Sequence, residues 1–108
     1  MIRKVKLNET GERGWFVGAF DNAAIYSTDF ELALTDWPSG PIPVHYHSKS
    51  VEAIVVITGR CVIQGVEIGP NEMFILQAGD INDSNFLEPT KLLAIKIPAG
   101  ANDKIPVN

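Results

Sequence analysis

His45 and His47 are the only two histidines in the chain. They stand two residues apart as His45-Tyr46-His47, and Glu52 follows after four intervening residues. In an extended strand, positions i and i+2 point to the same face, so both imidazoles can converge on one point. Two imidazoles and a carboxylate suit a divalent transition metal, non-haem iron above all, with positions left open for substrate or oxygen. A surface His-x-His pair also arises by chance, and a glutamate at a strand end is often no more than a solvated acid. Glu52 argues against that plainer view. Strict alternation puts it on the face of Ile54, Val56 and Thr58, where an unpaired carboxylate is costly and a metal or hydrogen-bonding partner removes the cost.

The elements that must carry these residues are short strands. Nine glycines and seven prolines are spread through the chain instead of collecting in one linker. Between them lie runs with strand chemistry over Trp15–Phe20 and Ala23–Tyr26, then an alternating run over Thr28–Asp36. In that run Phe30, Leu32 and Leu34 share one face, and Glu31, Ala33 and Thr35 the other. Val51–Thr58 is almost wholly apolar and β-branched, which predicts a strand buried on both faces. Gly59-Arg60, Gly65 and Gly69-Pro70-Asn71 mark turns between Cys61–Gln64, Val66–Ile68 and Met73–Leu76. Lys91–Ile97 reads as the last strand, with a loosely ordered tail from Pro98. No window shows a helical period, so the fold class is all-β, a sandwich or barrel.

At 108 residues the chain has room for one domain, spanning residues 1–108, and its 45% hydrophobic content suffices for a core. A net charge of -4 argues against a nucleic-acid binder, which needs a basic stripe. Arg3, Lys4 and Lys6 read as a solvated edge. There is no apolar run long enough for a membrane span and no apolar leader, so a cytoplasmic, membrane-free protein is expected. The single cysteine, Cys61, excludes an internal disulfide and reads as a packed core residue. Apolar residues on both faces of Val51–Thr58 and Lys91–Ile97 exceed what one interior needs, so a homodimer with sheet against sheet is expected.

The run from Gly40 through His45-Tyr46-His47 and Glu52 to Gly59 resembles the first conserved motif of the cupins. Gly69, then Met73–Leu76 and Gln77-Ala78-Gly79-Asp80-Ile81-Asn82, lies where that family carries its second motif, with Gln77 in place of a proline and Asn82 in place of a histidine. The resemblance spans about residues 28–97. It implies a cupin-type barrel (a double-stranded β-helix, or jelly roll) with a metal held by His45, His47, Glu52 and, in the fourth place, the amide of Asn82. Asp83 is the alternative fourth donor, since only one of two adjacent strand residues faces inward. The metal implied is Fe, Mn, Ni or Zn.

Trp15, Phe16, Phe20 and Trp37 suit either a pocket floor or a core, and Tyr46 should face away from the histidines. Three functions fit these residues. The resemblance implies a metal-dependent oxygenase or isomerase acting on a small organic molecule. The same barrel works without metal in some sugar-modifying cupins, one histidine acting as a base poised by a carboxylate. The third is a ligand-binding or sensor module without turnover.

Overall fold

A computed structural model describes residues 1–100 and 102–107. After a three-residue 3-10 turn at Leu7–Glu9 the chain is strands and turns. In chain order the strands are β1 (Trp15–Gly18), β2 (Ile25–Tyr26), β3 (Glu31–Trp37), β4 (Gly40–Pro41), β5 (His45–His47) and β6 (Val51–Thr58). They continue with β7 (Cys61–Ile63), β8 (Val66–Ile68), β9 (Met73–Leu76), β10 (Asn85–Phe86), β11 (Thr90–Ile97) and β12 (Lys104–Pro106). Six of them form one sheet in the order β2-β1-β3-β11-β6-β9, four a second in the order β4-β10-β7-β8, and β5 pairs with β12. Apart from parallel β1–β2, every pair is antiparallel. This is the all-β double-stranded arrangement the sequence predicts. Among the described residues no helix is long and apolar enough to cross a membrane.

The core gathers where the two larger sheets face each other: Val56, Cys61, Ile63, Ile68, Leu76, Phe86 and Leu92 are buried there. Cys61 packs as expected, and burial raises its thiol pKa, which removes it as a nucleophile at neutral pH. The motif glycine Gly59 sits at φ +93, and a Cβ there would lie 2.6 Å from the Pro89 carbonyl oxygen. Gly59→Ala is therefore expected to destabilise the fold by about 2 kcal/mol or more, through left-handed backbone strain plus overpacking; chemical denaturation checks it.

Two expectations change in the folded chain, and one question that alternation left open, the inward face of β3, is answered. Strand β6 is buried on one face only: Glu52, Ile54 and Val56 point inward, while Val51, Ala53 and Val55 are half-buried and Ile57 is exposed. On β3 the inward face is the one bearing Glu31, Ala33 and Thr35, with Leu32 and Leu34 outside. The polar side faces in because this end of the barrel is a cavity and not a close-packed core. Finally, the tail is not loose. After Pro98 it returns as β12 to pair with the histidine strand β5, Lys104 opposite His47 and Pro106 opposite His45. A buried Asp103 precedes it.

Candidate functional site

Registers across β3, β11 and β6 stack inward-facing residues into rows. Ala33, Ala94 and Ile54 lie side by side, and the next row is Glu31, Lys96 and Glu52. An acid, a lysine and an acid thus sit directly opposite one another on three adjacent strands, an attractive cross-strand arrangement. The two alanines project little, and beside them opens a cavity of about 460 Å³. Its walls include His45, His47, Glu52 and Asn82 at the polar end and Trp15 and Phe86 at the apolar end. That size and mixture match a small-molecule pocket.

Strand periodicity puts His45 and His47 on one face of β5, their rings edge-on with centroids 5.4 Å apart. Each ring is anchored through Nδ1. That of His45 lies 2.9 Å from the Pro43 carbonyl oxygen, and that of His47 lies 3.1 Å from Asp103 Oδ1. Both partners only accept, so in the neutral ring Nδ1 carries the hydrogen and Nε2 the lone pair. Metal-binding histidines have this pattern, one nitrogen held by an oxygen and the other left as donor. Opposite, Glu52 Oε2 stands 3.7 Å from His47 Nε2.

Asn82 is brought to the same place by backbone pairing: its N–H donates to the His45 carbonyl at 2.8 Å, and its own carbonyl accepts from the His45 N–H at 3.2 Å. Directly opposed residues of an antiparallel pair share a face, so Asn82 is buried at the cavity wall. Asp83 points away and accepts the Gln64 N–H at 2.8 Å. Asn82 Oδ1 already accepts the Ser84 N–H at 3.0 Å and the Ser84 hydroxyl at 2.5 Å. Because an N–H can only donate, the atom facing Ser84 is the oxygen. The metal-ligating oxygen expected of Asn82 is therefore engaged elsewhere.

The electrostatics favour a neutral His45 and an uneasy Glu52. Burial lowers the pKa of His45 against the pull of the Pro43 carbonyl, and Lys104 lowers it further. Burial raises that of Glu52, and the nearby His47, Lys96 and Lys104 only partly offset it. Asp103 goes the other way. Burial pushes its carboxyl up, but hydrogen bonds from Lys49, Ser50 and His47 outweigh that and hold it well below the usual carboxylate range.

Sequence reasoning passed over Asp103, Lys96 and Glu31. Lys96 Nζ lies 3.5 Å from Glu31 Oε1 and 3.9 Å from Asp103 Oδ1. Alternation along β11 carries the signal for Lys96, which shares a face with Leu92 and Ala94, but the aliphatic run hides it. For Asp103 no local signal exists, since its partners Ser48, Lys49 and Ser50 are more than fifty residues away in the chain.

Neither a protein-family profile nor a curated protein matches the sequence. Solved structures do. A cupin protein from Bacteroides fragilis is 22% identical with a TM-score of 0.56, over 71% of this chain and 72% of its own. KdgF from Halomonas sp. is 17% identical at a TM-score of 0.61, over 67% and 72%. The DMSP lyase DddQ from Ruegeria pomeroyi is 15% identical at a TM-score of 0.70, over 84% of this chain but only 48% of the lyase. These likenesses and the strand arrangement define a small domain with the cupin fold.

The donor set fits a metal in part. His47 and Glu52 face each other, but no group of three or more His, Cys, Asp or Glu side chains among the described residues closes to metal-holding distances. His45 must swing toward the pair to complete a set of two imidazoles and one carboxylate. As it stands, the His45 ring lies edge-on to that of His47, with its Nδ1 held by the Pro43 carbonyl.

Proposed function

We propose that this chain holds a divalent metal, Fe, Mn, Ni or Zn, on His45, His47 and Glu52 and receives a small organic molecule in the adjoining cavity. The supporting observation is the His47–Glu52 contact. With Nδ1 committed to Asp103, the lone pair of His47 Nε2 meets a carboxylate oxygen at 3.7 Å in a buried setting. When His47 is neutral, two electron-rich atoms face each other there, an arrangement that a cation between them stabilises. Asn82 serves as a wall of the pocket and not as a donor. A bound metal would supply Lewis-acid polarisation of an oxygen atom on the substrate. The protein's part is to orient the donors, to favour the neutral form of His45 and to present Trp15 and Phe86 to the apolar part of the ligand. Proteins of this fold include a DMSP lyase, which is in keeping with enzymatic turnover of a small molecule.

A metal-free pocket is the second reading, and the lysines favour it. Lys96 and Lys104 both bring positive charge to bear on Glu52, which weakens the pull on a further cation. In that case His47, backed by Asp103, is the base. Elemental analysis of protein purified without a metal-binding tag separates the two. About one divalent metal per chain is expected. A metal-free product whose melting temperature is unmoved by Zn, Fe, Mn or Ni overturns the metal reading.

A further inference from the structure

The tail after Pro98 is tied down where it matters chemically. The Gly100 N–H donates to Glu31 Oε1 at 2.7 Å, the Ser48 N–H donates to the Asp103 carbonyl at 3.0 Å, and β12 pairs along β5. Between these anchors the Asp103 side chain, 1% exposed, enters the barrel wall. Its two oxygens have separate duties. Oδ2 accepts the N–H groups of Lys49 at 2.9 Å and Ser50 at 2.7 Å. Oδ1 faces His47 Nδ1 at 3.1 Å.

We infer that Asp103 is a positioning residue that sets the tautomer of His47, keeping the hydrogen on Nδ1 so that Nε2 presents its lone pair to the cavity. The two amides make this specific. They only donate, so whatever replaces Asp103 must turn an oxygen toward Lys49 and Ser50. In Asp103→Asn, which is nearly isosteric, the amide oxygen is drawn to those two N–H groups and the NH2 is left facing His47. An NH2 only donates, so Nδ1 must become the acceptor and the hydrogen moves to Nε2. The substitution thus changes one hydrogen's position while leaving the heavy-atom arrangement in place. Lys96, 3.9 Å from Oδ1, adds its charge but does not alter the donor–acceptor logic.

The tautomer is independent of whether a metal binds, so the test is made on chelator-treated, metal-free protein. Long-range proton–nitrogen correlation spectra of the imidazoles are recorded above the ordinary histidine pKa of about 6.5, assigned with His45→Gln. The expected result is a neutral His47 with Nδ1–H in the wild type and Nε2–H in D103N. A wild-type His47 with Nε2–H, or one still doubly protonated there, overturns the inference. So does a D103N spectrum that keeps Nδ1–H. If D103N does not fold, the wild-type spectrum still decides, because Nε2–H there leaves Asp103 Oδ1 no hydrogen to accept from His47. A second arm rests on the metal reading: titration with Zn or Ni alone, in which D103N should bind about 10–100-fold more weakly. If the wild type takes up neither metal while the tautomers behave as stated, the metal proposal fails and the assignment of Asp103 stands. Equal affinity in both proteins, with metal bound, overturns the positioning role.

Discussion

Replacing Glu52 by glutamine is expected to make the metal-free protein more stable and to abolish its response to metal. The two effects have one cause. Burial raises the pKa of Glu52, and the attraction of His47, Lys96 and Lys104 does not fully compensate. Below the ordinary glutamate value of 4.5 the carboxyl is neutral in both the folded and the unfolded chain and makes no difference. As pH rises from 4.5 toward the raised folded value, the unfolded chain ionises while the folded one resists, and stability falls. Glutamine removes that penalty, so the gap between Glu52→Gln and wild type should open as pH rises above 4.5 in the presence of chelator. With metal the order reverses. At a free metal concentration a thousandfold above Kd the wild type gains about 4 kcal/mol, a shift of roughly 15–30 °C for a domain of this size. Glu52→Gln and His47→Ala should lose nearly all of that shift. Asn82→Ala should keep most of it, because the Asn82 oxygen is engaged by Ser84. Binding should weaken as pH falls through the histidine range, since neutral imidazole is the ligand. Melting curves with and without metal at several pH values check all of this. A metal-free Glu52→Gln that is less stable than wild type at neutral pH contradicts the account.

The second large effect concerns association. We propose that the outer face of the six-stranded sheet packs against a second copy of the chain. Two rows cross four strands without a polar side chain: Leu34, Leu93, Val55 and Met73, then Leu32, Ile95, Ala53 and Ile75. Met73 and Ile75 are more than half exposed, as is Ile97 on the same face of β11. A continuous apolar face of this kind is unusual on a monomer, and a self-complementary two-fold contact is the commonest way of covering one. A substitution there occurs twice in the dimer. Leu93→Asp buries a charge at two places, each costing about 2–5 kcal/mol, so dimerisation should weaken by at least about a thousandfold. Sedimentation equilibrium should show a dimer for wild type and a folded monomer for Leu93→Asp. A wild type that is monomeric at every concentration overturns the proposal.

The all-β class, most strand positions and the two-histidine strand were legible in the sequence, because these depend on local chemistry. Period-two spacing alone puts His45 and His47 on one face, β-branched content alone makes Val51–Thr58 a strand, and Gly59 marks a turn by a backbone angle only glycine takes easily. What alternation cannot say is which of two faces looks inward. On β3 the polar face does, because the barrel encloses a cavity there, and on β6 the second apolar face is left on the surface. The choice between Asn82 and Asp83 was likewise open until the backbone bridge to His45 set the register. Farthest from view was Asp103, a single acid in an unremarkable tail. Its importance arises only when β12 returns to β5 and brings the carboxylate within hydrogen-bonding reach of a ring 56 residues earlier in the chain. Local pattern determines which elements form, whereas the partners of a buried charge are set by long-range pairing, on which a linear pattern carries no mark.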